Sequence, residues 1–92
     1  MTDEQIRTED CRWEVLEALY SRRQGAHQAT TICTVFLSRR DYTLKEVETA
    51  LSDMQRFHWV TCAPEHPKSS IIVWQIDGDG IVEIERRRSR RG

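Results

Sequence analysis

One stretch decides the fold of this chain: YTLKEVETALSDMQRFHWV, residues 42–60. Thr43 followed three residues later by Glu46 predicts a capping box, in which each side chain accepts a hydrogen bond from the main-chain N–H of the other residue. Tyr42 and Val47 occupy the two positions of a hydrophobic staple across that cap. Behind the cap, apolar residues recur at steps of three and four, which predicts one buried stripe on a helix. The stripe consists of Leu44, Val47, Leu51 and Met54.

This helix is predicted to end near Phe57 and His58, where Trp59 and Val60 begin an extended segment. Burial of the four stripe residues contributes roughly 6–12 kcal/mol before any cost, at about 1.5–3 kcal/mol each. Ordering the backbone costs about 1–2 kcal/mol for every residue of the helix. Because this cost exceeds the gain, the rest of the chain must supply a surface that covers the stripe.

Composition limits the chain to one small domain. Its 92 residues are 38% hydrophobic and 32% charged, which suffices for a modest core. No apolar run is long enough for a membrane span, and the acidic, polar start MTDEQIRTED does not resemble a signal peptide. The expected location is therefore cytoplasmic. Cys11, Cys33 and Cys62 lie far apart, a pattern typical of free thiols in a reducing compartment.

Charge is distributed unevenly along the chain. All 15 acidic residues lie within residues 1–85, together with nine of the 14 basic ones, so that part carries a net charge of −6. The remaining five basic residues give the end of the chain a charge of +5, which is typical of an interaction segment. They are Arg86, Arg87, Arg88, Arg90 and Arg91.

A first helix is predicted over residues 8–24, after a frayed segment 1–7. Thr8 is the expected N-cap, and Gly25 is the expected terminator. Glu9 and Asp10 would then lie in the first turn, where the helix dipole favours negative charge. The apolar face of this helix consists of Trp13, Val15, Leu16, Leu19 and Tyr20.

A shorter second helix, starting at Thr30 or Thr31, is predicted next, although it is rich in β-branched residues. Beyond residue 57 the pattern changes to that of strands, predicted at residues 59–63 and 71–76. The segment PEHPKSS, residues 64–70, separates them and contains two prolines and no large apolar residue. Two strands around such a turn predict a β-hairpin.

The segment DGDGIVEIERRR, residues 77–88, has two interpretations. Asp77-Gly78 between apolar runs is typical of a hairpin turn and would lead into a third strand. Alternatively, Asp79 caps a last helix in which Glu83 pairs with Arg87. The helix is preferred because of the family resemblance described next.

The resulting order resembles the winged-helix superfamily over about residues 9–88. TLKEVETALSDMQRFHWV (43–60) is similar to the third helix and first wing strand of that family, and PEHPKSS lies where the wing tip would be. WQIDGDGIVEIERR (74–87) is similar to the strand, Asp/Gly corner and closing helix of small bacterial members. His58 stands where the family usually has glycine, and histidine tolerates positive φ better than most residues. Length and layout also resemble, more loosely, small winged-helix proteins of Mu-like transposable phages.

The resemblance implies an α+β winged-helix domain: a three-helix core, a two-stranded wing and a C-terminal helix. It also implies transcription-regulator-like binding of duplex DNA through the third helix and the wing. The arginine tail (residues 86–92) is a further candidate because of its charge, since its arginines can bind phosphates without sequence preference. The side chains that would contact DNA are Lys45, Thr49, Ser52, Gln55 and Arg56 on the third helix, His66 and Lys68 on the wing, and Arg86, Arg87, Arg88, Arg90 and Arg91 in the tail.

Two observations keep other interpretations open. Residues 44–57 carry a net charge of −1, which opposes phosphate binding and is also typical of a solvated helix face or of a protein-interaction module that has kept the fold. The arginine tail can equally be a solubilising end. The resemblance further suggests a homodimer through Trp13, Tyr20 and the last helix, although the indole rings of Trp13 and Trp74 can instead simply complete the core.

Catalytic and metal-binding patterns are weak in this sequence. His58, Cys62 and His66 are spaced by four residues, but no Cys-x-x-Cys motif accompanies them. The chain has no Gly-rich phosphate loop and no nucleophile elbow. We therefore expect a non-enzymatic protein without cofactor or metal.

Overall fold

The computed structural model describes residues 2–91, and Arg91 by its backbone only. In this part of the chain, four helices and one antiparallel hairpin follow each other as predicted, which confirms the α+β class and the helical interpretation of the closing segment. The elements are α1 (Asp3–Ser21), α2 (Ala29–Thr31) with a directly following π-helical segment (Ile32–Phe36), α3 (Leu44–Arg56), β1 (Val60–Pro64), β2 (Ile72–Ile76) and α4 (Gly78–Arg91).

Helix α3 lies at the centre of the packing. Three of the four predicted stripe residues are fully buried, and Ala50 completes the seam. The prediction that Leu44 belongs to the core is wrong, because this residue is 38% exposed. It is the first residue of α3, so this position of the stripe lies at the very end of the helix.

The predicted capping box is present and is reinforced from α1. Thr43 Oγ accepts from the Glu46 N–H at 3.2 Å, and Glu46 Oε1 accepts from the Thr43 N–H at 2.9 Å. Arg7 then binds the same carboxylate twice, at 2.6 and 3.0 Å, and reaches Asp41 at 3.2 Å. These hydrogen bonds lower the pKa of Glu46 to about 2, and those from Arg7 contribute more than the one from the Thr43 N–H. The start of α3 is thereby joined to a residue 39 positions earlier.

We expect Glu46 to stabilise the fold at neutral pH and to lose this effect in acid. Because its pKa falls from 4.5 to about 2 on folding, its contribution is complete above about pH 4.5 and is lost as the pH drops through about 2. Glu46→Gln should therefore unfold more easily than the parent at neutral pH, and this difference should shrink below about pH 4. Urea unfolding of both chains at about pH 6 and about pH 2.5 measures it. An equal difference at the two pH values would contradict the assignment.

Helix α1 begins earlier than predicted. Its N-cap is Thr2, which forms a second capping box with Gln5 at 3.2 and 2.9 Å. The predicted cap Thr8 is wrong, since it lies inside the helix and its hydroxyl donates to the Glu4 carbonyl. The helix also ends at Ser21 instead of residue 24, and Gly25 does not adopt the left-handed conformation of a glycine terminator.

The second helix changes its winding after one turn. The Ile32 N–H still bonds to the Gln28 carbonyl, four residues back, but the Leu37 N–H bonds to the Ile32 carbonyl, five residues back. β-Branched residues crowd the preceding turn of an α-helix, and five of them lie between residues 30 and 35. The wider π-helical turn is consistent with that crowding.

The hairpin pairs Val60 with Ile76 at its base and Pro64 with Ile72 near its tip. Its strands agree with the predicted ones to within one residue at each end. The link between α1 and α2 also joins the sheet, because His27 and Trp74 exchange two main-chain hydrogen bonds of 2.8 and 2.7 Å. His58 has φ of 60° and makes the turn from α3 into β1, as expected from the sequence.

Helix α4 begins immediately after Asp77, whose carboxylate accepts from the Gly78 N–H at 2.8 Å. The predicted cap Asp79 is wrong and lies in the first turn, where its charge still favours the helix. The predicted Glu83–Arg87 pair is wrong as well. Glu83 binds Arg86, three residues later in the same helix, at 2.8 Å. The Arg87 guanidinium instead lies over the Trp13 ring of α1.

Gly80 allows α4 to lie directly on the start of the hairpin. A Cβ at this position would stand 2.2 Å from the Trp59 carbonyl oxygen and 2.9 Å from Ile76 Cγ1. The same oxygen accepts from the Asp77 N–H at 2.8 Å. Only a residue without a side chain fits here, and Ile84, one turn further along α4, can then reach the core, where it is fully buried.

Candidate nucleic-acid interface

The outward face of α3 contains the residues predicted for it. All five DNA-contact candidates of this helix are exposed, and Glu48 lies exposed among them. The Gln55 amide also donates to Cys62 Sγ of β1 at 3.3 Å, which ties one candidate to the hairpin. The five candidates are Lys45, Thr49, Ser52, Gln55 and Arg56. They offer hydrogen-bonding groups to a groove of DNA but only two positive charges.

A groove of about 400 Å³ separates this face from the hairpin. Glu48 and Ser52 line it from α3, and Ile71, Ile72 and Trp74 line it from the hairpin. Ile71 and Ile72 are 43% and 42% exposed, so the groove combines a carboxylate with apolar surface. Neither feature favours a phosphate backbone.

The two wing candidates, His66 and Lys68, are exposed in the loop between β1 and β2. The loop closes on itself through a hydrogen bond from the Ser69 N–H to the His66 carbonyl at 2.9 Å. Glu65 lies exposed in the same loop and offsets part of the charge of Lys68. The wing tip is accordingly a weak source of positive potential.

The arginine tail is part of helix α4 and packs on α1. Arg86 binds Glu83 of its own helix, and Arg88 binds Glu17 of α1 at 2.9 Å. The Arg87 guanidinium lies 4.1 Å from the centre of the Trp13 ring. Arg90 is exposed, and the side chain of Arg91 lies outside the described part of the structure. At least three of the five tail arginines therefore already have partners within the chain.

Trp13 and Tyr20, the predicted dimer contacts, are half-buried on α1. The Trp13 ring lies 5.5 Å from that of Trp59. Tyr20 lies close to two guanidinium groups, those of Arg23 at 4.7 Å and Arg88 at 4.5 Å. Side chains of the same protein thus cover part of each ring, and a dimer through them stays a prediction.

Sequence reasoning missed a second basic surface, at the end of α1. Arg22 and Arg23 line an open concavity of about 570 Å³ together with Ser21, Gln24, Gly25 and His27. No acidic residue lines it. The adjacent arginines were visible in the sequence, but only as favourable charges at a helix end. Their environment depends on α2 and β2, which no local pattern reveals.

The described histidines and cysteines show no metal-binding arrangement, and the buried Cys11 is a poor nucleophile. Within residues 2–91, no group of three His, Cys, Asp or Glu side chains is arranged to hold a metal ion. Cys11 is buried beneath α3, and burial raises the pKa of its thiol to about 11. A thiol with so high a pKa is a poor nucleophile, because the thiolate is the reactive form.

Searches of protein-family models, of curated proteins and of solved structures found no match to this chain. None of the helices in residues 2–91 combines the length and the apolar composition that crossing a bilayer requires.

Proposed function

We propose that this protein is a winged-helix-type domain that binds duplex DNA with little sequence selectivity. One observation carries the proposal: α3 buries its apolar seam, exposes its five predicted contact residues, and is followed directly by an antiparallel hairpin. In the winged-helix arrangement these two elements meet the major groove and the phosphate backbone. Thr49, Ser52 and Gln55 supply uncharged hydrogen-bonding groups, which can bond to phosphates as well as to bases.

Low selectivity follows from the charges. Most of the free energy of non-specific DNA binding comes from cations that displace counterions from phosphates. Residues 44–57 carry a net charge of −1, so the cations must come from other parts of the surface, including the exposed arginines of α4. Surface ion pairs such as Arg86–Glu83 are worth only about 0–1 kcal/mol, so these arginines can exchange a carboxylate for a phosphate at small cost.

A second function is favoured by the groove between α3 and the hairpin. Glu48 beside the exposed Ile71 and Ile72 offers a surface of the kind that binds an apolar, basic protein segment. In this alternative, the chain is a non-enzymatic protein-interaction module of the same fold that does not bind specific DNA sequences.

Binding to random-sequence duplex DNA across a salt series separates the two functions. We expect log K to fall linearly with log[salt], with a slope of a few units, because each neutralised phosphate contributes about 0.9. Arg86→Gln/Arg90→Gln should lower the slope by about two. Substitutions are preferable to a truncation after residue 85, because the truncation would also remove Arg87 and its contact with Trp13.

Lys45→Glu/Arg56→Glu tests α3 itself. If α3 contacts DNA, this variant should bind much more weakly than Arg39→Glu/Arg40→Glu, a control that reverses the same number of charges in the loop before α3. Absence of binding by the parent chain even at low salt would remove the DNA proposal and leave the interaction module. Circular dichroism of each variant checks that the fold is retained.

A further inference from the structure

The concavity at the end of α1 holds two arginines that have no acidic partner. Among the described residues, neither Arg22 nor Arg23 forms an ion pair with a carboxylate, in contrast to Arg7, Arg12, Arg40, Arg86 and Arg88. We infer that Arg22, Arg23 and His27 form a phosphate-binding basin that contacts the backbone of a nucleic acid. This inference rests on the proposed function and assigns part of its electrostatics to a surface outside α3, the hairpin and the tail.

Aromatic rings hold both guanidinium groups in place. The Arg22 guanidinium lies 3.9 Å from the centre of the Phe36 ring, and that of Arg23 lies 4.7 Å from the centre of the Tyr20 ring. Each also donates one hydrogen bond to a carbonyl of the last turns of α1, at 3.4 Å to Ala18 and 3.2 Å to Tyr20. Because stacking already restricts these long side chains, they lose less conformational entropy when they bind a ligand.

Most of the donors remain available. A guanidinium carries five N–H donors, and Arg22 and Arg23 each use one of them within the described structure. His27 is held in the lining by its main-chain pairing with Trp74, and its ring meets the Phe36 ring edge-on at 4.9 Å. Its Nε2 lies 3.3 Å from the Arg22 carbonyl oxygen, so the free donors of the basin are mainly those of the two guanidinium groups. The basin therefore presents several preorganised donors on one rigid surface, the geometry that arginine offers to phosphate oxygens.

The opposing negative charges are smaller than the positive ones. The carboxyl end of α1 contributes roughly half a negative charge, against two full charges from Arg22 and Arg23. Glu17 and Glu85 lie on the Tyr20 side of the basin. Glu17 is paired with Arg88, and Glu85 accepts from the Tyr20 hydroxyl at 3.4 Å. The Arg88 guanidinium lies 4.5 Å from the centre of the Tyr20 ring, but its pairing with Glu17 means that it adds no net positive charge to the basin.

A nucleic-acid backbone fits the lining better than a membrane does. The six residues of the basin are polar or glycine, and none is an apolar side chain that could enter the acyl region of a bilayer. The concavity is open to solvent, which suits an extended polyanion more than one enclosed small phosphate.

The test is the DNA salt series applied to Arg22→Gln/Arg23→Gln in the full chain. The slope of log K against log[salt] should fall by about two, with binding at low salt weaker by at least about tenfold. Arg22→Lys/Arg23→Lys keeps the charge but loses the planar stacking, and it should retain most of the slope. Arg39→Gln/Arg40→Gln removes the same charge elsewhere and should change the slope by less than about half a unit.

Each other result overturns a defined part of the inference. If the parent binds DNA and the Arg22/Arg23 glutamine variant has the parental slope, the basin is not a contact and the proposed function survives. If the parent does not bind DNA, both fail. Arginine-dependent binding to phosphatidylserine vesicles without DNA binding would assign the basin to a membrane. Saturation by inorganic phosphate at micromolar concentration, without any effect of DNA, would assign it to the free anion.

Discussion

Replacing Gly80 with alanine is expected to lower the free energy of unfolding by about 3 kcal/mol, the upper end of the usual cost of overpacking. The new Cβ would meet the Trp59 carbonyl oxygen at 2.2 Å. That oxygen belongs to the backbone and already accepts from the Asp77 N–H at 2.8 Å, so it cannot move away without breaking the link between the hairpin and α4. Urea unfolding of the variant and the parent measures the loss.

Gly78→Ala is the matched control, because it makes the same chemical change two residues earlier in the same helix. A Cβ at Gly78 would meet no atom within 4 Å. Alanine reduces the freedom of the unfolded chain, so this variant should be unchanged or more stable by about 0.4–1 kcal/mol. Equal unfolding midpoints for the two variants would show that α4 does not approach the hairpin as closely as described.

Leu51→Ala is the second large effect, with an expected loss of about 2–5 kcal/mol. Leu51 is fully buried in the seam of α3, the helix that packs against α1 and β1. Truncation removes its transfer free energy and leaves a cavity that close-packed neighbours fill only in part. The loss should appear as a lower urea midpoint with little change in the m-value.

Leu44→Ala tests the same substitution on the same helix at a position that is 38% exposed. We expect a loss of about 1 kcal/mol or less, because little apolar surface returns to water and alanine is the better helix former. The contrast decides between the predicted four-residue stripe and the observed seam. A cost for Leu44→Ala equal to that for Leu51→Ala would restore Leu44 to the core.

Local signals in the sequence predicted α3 and the hairpin well. The Thr43–Glu46 capping box and the turn residues of 64–70 act over three to seven positions, so their effect is legible without tertiary information. The closing helix was predicted in kind, but its cap lay two residues earlier, at Asp77. Asp77-Gly78-Asp79-Gly80 offers two equivalent carboxylates, and the close approach at Gly80 favours the earlier start.

Features that depend on partners distant in sequence could not be predicted. Helical periodicity does not reveal that Leu44, the first residue of α3, is partly exposed, because this depends on how the neighbouring elements pack. The Thr2–Gln5 capping box starts α1 six residues before the predicted cap Thr8. The pairing of the tail also escaped prediction. Arg88 binds Glu17, 71 positions earlier, and this contact exists only because α4 packs on α1.

The candidate interface was predicted only in part, because some of its contacts also join residues that are distant in sequence. Helical periodicity alone identified which side chains of α3 face outward, and the structure exposes all of them. The basin at Arg22 and Arg23 requires Phe36 and Tyr20 to stack on the guanidinium groups, and it requires β2 to hold His27. A count of charges along the chain therefore pointed to the tail and passed over the end of α1.

The pairing of His27 with Trp74 divides the hairpin into two mechanical parts. Trp74 is the middle residue of β2, so the ribbon is anchored at its midpoint to the link between α1 and α2. Beyond that point, residues 65–71 are held mainly by hydrogen bonds among themselves. We therefore expect bending to be concentrated in the outer half, while the anchor at Trp74 keeps the inner half close to the end of α1.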